Sequence, residues 1–185
     1  MATVTKVLLN GSNGSDGIVD TNEGTLDVTY NPSYHGVEFA LSTYSGVYEY
    51  ESARKLVNTW EDWGVPIDQI VTGIQFNSAV LYLSIDGGIL PIDDMFVDFI
   101  LQPTSSVIKN KNIPTDTSDL GYQSVSSGSL IPLSLASNSD ARMEIFVGIN
   151  STDGGNIPIS LVVSDISFTI TYSSGLKKNR MFLTT

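Results

Sequence analysis

The stretch that most constrains the fold alternates with a period of two. Ile166, Phe168, Ile170 and Tyr172 fall on one side, and Ser167, Thr169, Thr171 and Ser173 on the other. Successive side chains of an extended chain point to opposite faces, so this spacing makes one apolar face and one wet face. Met143, Ile145, Val147 and Ile149 repeat the rhythm, opposite Glu144, Phe146, Gly148 and Asn150. Ile70, Thr72, Ile74 and Phe76 share a face in a third segment. Its phase breaks near Asn77 to Ala79 before Val80 to Ile85 resumes, which predicts a β-bulge or turn there. Further candidate strands are 3–9, 25–30, 37–43, 47–50, 94–101, 130–135 and 157–163, with turn-formers at 10–17, 31–33, 86–88, 114–118 and 153–155 between them. About ten such strands predict an all-β fold, an antiparallel, jelly-roll-like β-sandwich.

One segment departs from the rhythm. Ala53, Leu56, Val57, Trp60 and Trp63 are spaced as one helix face, with Ser52 as an N-cap. A short helix across the end of the sandwich is one reading; a strand entering at Gly64, Val65 and Pro66 is the other. At most one short helix is therefore expected.

A chain of 185 residues, 41% of them hydrophobic, is long enough to bury one continuous core. No linker or repeat divides it, so residues 1–174 read as one domain. Its charge is lopsided. The nine bases divide into Lys6, Arg54, Lys55, Lys109, Lys111 and Arg142 in the body and Lys177, Lys178 and Arg180 in the last eleven residues, whereas all 20 acids lie in the body. An acidic body repels phosphate backbones, so nucleic acid is not an expected partner. No run approaches the roughly 20 apolar residues that cross a bilayer, so no membrane partner is expected. Met1 to Asn10 lacks the apolar core of a signal peptide, and synthesis in a cytoplasm is expected.

The chemistry of catalysis is sparse. There is no cysteine and one histidine, His35, in a turn-like setting, so thiolate chemistry and a histidine-rich zinc site are excluded. Asp94 and Asp98 share a strand face roughly 13 Å apart, beyond either glycosidase geometry. No enzyme activity and no cofactor are expected. Structural Ca²⁺ stays open, because Asp86-Gly-Gly88, Asp153-Gly-Gly155 and Ser12 to Asp16 offer oxygen ligands. Tight turns explain the same residues, since glycine tolerates positive φ.

Two interaction surfaces stand out. Trp60 and Trp63, with Tyr44, Tyr48 and Tyr50, have the chemistry of a sugar-stacking platform, with Trp60, Trp63 and Tyr48 as its centre. The competing reading, preferred here, puts both indoles in the core or an interface, where their large area stabilises most. The second surface is the arm 175–185, in which Leu176, Lys177, Lys178, Arg180, Met181, Phe182 and Leu183 combine positive charge with apolar bulk. Such a segment suits docking back on the chain's own acidic body or on a neighbouring subunit, in which case the contact set is 176–183 together with an N-terminal arm, Met1 to Val4.

Two pieces of the chain resemble a known family. Trp63-Gly64-Val65-Pro66 followed by Ile70-Val71-Thr72-Gly73-Ile74-Gln75-Phe76, and a closing strand from Val163 to Tyr172, are similar in order and separation to jelly-roll modules of bacteriophage virion proteins. The likeness covers about a quarter of the chain, and Gln69 departs from the small residue the family favours. The resemblance implies a non-enzymatic virion protein, first a capsid decoration or cement protein tying subunits together, otherwise a tail or baseplate subunit. Its partners would be other virion proteins or further copies of itself. A carbohydrate-binding module for host-surface recognition is the alternative. If the arm is the grip, deleting residues 175–185 should leave circular dichroism unchanged while abolishing assembly in sedimentation.

Overall fold

A computed structural model describes residues 1–9, 18–24, 26–41, 48–85, 94–102, 104, 106–113, 121–151 and 159–174. Among them are twelve strands and no helix. They are β1 (Ala2–Leu8), β2 (Ile18–Gly24), β3 (Asp27–Asn31), β4 (Gly36–Leu41), β5 (Tyr48–Thr59), β6 (Gln69–Ile85), β7 (Asp94–Gln102), β8 (Ser106–Ile113), β9 (Gly121–Val125), β10 (Leu130–Ala136), β11 (Asp140–Ser151) and β12 (Ile159–Ser174).

They form two antiparallel sheets. The first has seven strands around a central pair, β6 and β12. One end of β6 pairs with β10 and the other with β9, while β12 pairs with β1 along one half and β4 along the other, and β3 extends β4. The second sheet has five strands in the order β2-β5-β11-β7-β8. Antiparallel sheets of this kind bury one face each and stack them into a sandwich.

Period-two alternation decides which face is buried. In β12, Ile159, Leu161 and Val163 are buried, and then Ile166, Phe168 and Ile170. The change of phase between them is a register shift between Ser164 and Ser167, where Asp165 takes φ 49° and donates its N–H to the Leu9 carbonyl at 3.2 Å. β6 answers one step later, with a second shift that spaces Ser78 and Phe76 against the adjacent Ser167 and Phe168. The bulge expected near Asn77 is thus present. A further shift between Thr171 and Tyr172 corrects the expected face of β6, because it puts Val71, not Ile70 and Thr72, on the buried side with Ile74 and Phe76. Facing residues of the two sheets meet in the middle, as Phe76 and Phe99 do at 4.8 Å between ring centroids.

The helix reading of 52–63 is corrected. β5 pairs residue by residue with β11 from Tyr48 opposite Ser151 to Thr59 opposite Asp140. Local helical spacing loses to that unbroken ladder. Only the last part of the pattern is realised, as one tight turn that brings Trp60 and Trp63 together. Thr59 and Asp62 fasten it reciprocally: the Thr59 N–H and Oγ1 donate to Asp62 Oδ2 at 2.8 and 2.7 Å, and the Asp62 N–H donates to Thr59 Oγ1 at 3.2 Å. The bonds from the Thr59 side hold the Asp62 carboxyl below the usual carboxylate range. The Trp60 and Glu61 N–H groups then bond to the carbonyls of Ser139 and Ser137 in the β10–β11 connection. Nor does a strand begin at Gly64; β6 starts at Gln69.

The turn closes one end of the sandwich. Trp60 and Trp63 pack edge-to-face at 5.4 Å, and Trp63 lies 4.8 Å from Phe168. Replacing Trp63 by Ala should cost about 3–5 kcal/mol of unfolding free energy in urea titration, since it removes a large buried ring and leaves a cavity. Trp63→Phe should cost clearly less.

Candidate functional site

The sequence-based sugar platform is not where aromatic surface is available. Trp60 and Trp63 are 0% and 1% exposed, so neither indole offers a face to a ligand. The reading that puts them in the core is the one the packing realises. Tyr48 opens β5, but its side chain lies outside the described residues, as do Tyr44 and the acidic turns at 12–16, 86–88 and 153–155. The arm with Leu176, Lys177, Lys178, Arg180, Met181, Phe182 and Leu183 also lies outside them. Among the described residues no group of three or more His, Asp or Glu side chains is placed to hold a metal ion. His35 is exposed at the end of a turn.

Aromatic surface is available on the solvent face of the seven-stranded sheet. Tyr82 alternates with the buried Leu81 and Leu83, so the phase of β6 sends it outward. Register puts Tyr122 of β9 directly opposite it, with ring centroids 5.0 Å apart and the planes at 60°. Tyr34, from the β3–β4 turn, lies over this face and stacks on Tyr82 at 4.2 Å and 20°. It meets Tyr122 at 6.2 Å and 66°. Tyr122 is 71% exposed, an open phenol ring anchored on a strand.

The row continues across the sheet. Tyr82 faces Val162 of β12, and Val162 faces Glu38 of β4. Val162 is outside the core cluster yet only 1% exposed, because the turn that carries Tyr34 is drawn down over it. Gly36 permits that approach: a Cβ there would sit 2.5 Å from the Val163 carbonyl oxygen and 2.7 Å from Val162 Cγ1.

Asn31 organises both halves of the site. Its Oδ1 accepts the N–H groups of Ser33 at 2.9 Å and Tyr34 at 3.3 Å, the Asx turn that asparagine builds readily. Its Nδ2 donates to Glu38 Oε2 at 2.8 Å. Ser160 Oγ donates to the other carboxylate oxygen. Glu38 is therefore held by two neutral donors. A carboxylate can accept about four hydrogen bonds, so sites remain for ligand hydroxyls. A stacked phenol pair, an open phenol and an oriented carboxylate can together bind a molecule that has both apolar C–H faces and hydroxyl groups.

Sequence reasoning passed over Tyr34, Tyr82 and Tyr122. The outward phase of Tyr82 is readable from its neighbours, but β9 was not among the expected strands, and only strand register brings the three together.

No family model matches the sequence, and no characterised protein matches it at a significant level. Structural likenesses exist. A CBM4 structure is similar over 81% of this chain and 91% of its own, at 10% identity and a TM-score of 0.41. A carbohydrate-binding module with specific mannan recognition is similar over 92% of this chain and 99% of its own, at 11% identity and a TM-score of 0.44. An arabinose-bound α-L-arabinofuranosidase is similar over 90% of this chain at 12% identity and a TM-score of 0.45, but the chain spans only 26% of that enzyme's length.

The tyrosine cluster has its own titration signature. The hydrogen bond with Tyr82 is the largest influence pushing the Tyr34 hydroxyl up from the usual 10 to about 12, followed by desolvation and the nearby Tyr82, Tyr122 and Glu38. The raised value favours the neutral phenol in the folded state, so its contribution to stability is complete below pH 10 and is lost as pH rises through about 12. Ultraviolet titration should show the Tyr34 phenol ionising well above the usual tyrosine value, and Tyr82→Phe should return it toward that value.

Proposed function

We propose that this protein binds carbohydrate on the solvent face of its seven-stranded sheet. The observation that carries the reading is the cluster of Tyr34, Tyr82 and the 71% exposed Tyr122 beside the oriented carboxylate of Glu38. Phenol rings supply rigid, amphipathic contact at little conformational cost, and they present a polar edge as well as an apolar face. Pyranose rings are complementary, with C–H patches that stack and equatorial hydroxyls that donate to a carboxylate. Affinity comes from removing both surfaces from water, and orientation from the hydrogen bonds.

Sugar binding, the alternative drawn from the sequence, is preferred to capsid decoration because the Tyr34, Tyr82 and Tyr122 rings stand together on a solvent face beside a carboxylate that Asn31 and Ser160 orient. The mode of action is retention: a module of this kind keeps whatever carries it close to a glycan surface, with no bond made or broken.

A glycan array followed by calorimetry tests it. The unsubstituted chain should bind a subset of oligosaccharides, and Tyr122→Ala should weaken that binding at least tenfold with the melting temperature nearly unchanged, because the ring contributes little to the core. Binding that survives both Tyr122→Ala and Tyr34→Ala would remove the reading.

A further inference from the structure

The electrostatics and dimensions of the face narrow the ligand class. The relevant row runs Tyr122, Tyr82, Val162, Glu38 and Thr29, one residue each from β9, β6, β12, β4 and β3. From Tyr122 to Glu38 it crosses three strand spacings, about 14 Å. That is longer than a single sugar ring. A ligand touching both ends must be a chain that passes over Tyr34 and the turn that carries it, with one unit on the Tyr122 phenol and another donating to Glu38.

Charge is the second constraint. Among the described residues the cationic side chains stand elsewhere. Lys109, Lys111 and Arg142 belong to β8 and β11 of the five-stranded sheet, and Arg142 is paired with Asp140 at 2.6 Å. Lys6 sits in the phase of Val4 and Leu8, opposite the inward Phe168, and its charge acts on Asp62 at the tryptophan turn. The tyrosine face carries instead Glu38, whose two hydrogen-bonding partners are the neutral Asn31 and Ser160, and the exposed Asp27 of β3. The whole chain adds a net charge of −11. Among the described residues, an anion brought to this face meets repulsion with no basic partner to offset it.

Resting on the carbohydrate reading above, we infer that the site selects by charge and length: it takes uncharged oligosaccharides and rejects chains bearing carboxylate or sulfate groups. Tyr122 and the Tyr34–Tyr82 stack hold the ring faces. Glu38 accepts hydrogen bonds from sugar hydroxyls, whereas a uronate carboxylate brought beside it has no proton to donate and repels it.

Calorimetry with two ligand series of matched length, neutral gluco- or manno-oligosaccharides and oligouronates, tests this on the whole chain. Neutral ligands should gain affinity from one unit to about three or four and show little dependence on salt. Oligouronates should bind at least tenfold more weakly at low salt, with the gap narrowing in 0.5 M NaCl as screening shortens the repulsion. Glu38→Gln should close part of the same gap by weakening the neutral series and strengthening the anionic one, and it keeps a side chain of nearly equal shape. Oligouronates that bind as tightly as neutral chains at low salt, or single sugars that bind as tightly as chains, overturn the inference and leave sugar binding standing. Absence of binding in both series removes the carbohydrate reading with it.

Discussion

The pairing of β6 with β12 is the constraint on which the rest of the molecule depends. These strands, 17 and 16 residues long, run beside each other almost end to end, and five of the other strands of their sheet attach to one or the other directly or through β4. Because side chains alternate, a slip of one residue would send Leu81, Leu83 and Phe168 to water and Tyr82 into the core. The burial of a row of apolar side chains at about 25 cal/mol per Å² opposes any such slip. Core and site therefore have one cause: the register that buries Leu81 and Leu83 is the register that presents Tyr82. The matched bulges around Asp165 and Asn77 let strands of this length follow the twist of the sheet without losing phase.

Much of this order is legible in the sequence, because period-two spacing is a local property. It finds β1, β3, β4, β6, β7, β10 and β11 with boundaries close to those observed and places a bulge in β6, but it reads β12 as two strands, 157–163 and 166–173, and has no strand at β2. It does not find β8, whose Lys-Asn-Lys run at 109–111 masks the buried Ile108 and Ile113, or β9, whose five residues carry one buried side chain, Val125. The error at 52–63 has a different origin. A spacing of three between Trp60 and Trp63 is the same in a helix and in a single turn, and only pairing with β11 tells them apart. The tyrosine site was the least legible part. Tyr34, Tyr82 and Tyr122 come from a turn and two strands, and nothing in any one segment says that they meet.

The tryptophans and the tyrosines show how one residue class takes two roles. Trp60 and Trp63 sit where a chain crossing from one sheet to the other must close the open end of a sandwich, a place where large apolar volume is needed. The tyrosines sit on a sheet face with no third layer over it among the described residues. Phenols tolerate that position, because their hydroxyl edge is hydrated while the rings shield one another by stacking. Exposed aromatic surface is otherwise unfavourable in water, so a cluster held open on rigid strands is the kind of feature that marks a binding site.

Rigidity decides what such a site is worth to a ligand. Association always costs translational and rotational freedom, and each side chain that must be ordered on binding adds to that cost. Here most of the ordering is done during folding. Tyr82 and Tyr122 stand on paired strands, Glu38 is fixed by Asn31 and Ser160, and Tyr34 is fixed by the same Asn31 through the turn. The left-handed backbone of His35, at φ 51°, and the contact that only Gly36 allows are the local strain that this arrangement requires. That strain is borne by the free protein, not introduced by the ligand. Under the proposed function, a short oligosaccharide, itself flexible and heavily hydrated, meets a surface that loses little entropy on contact.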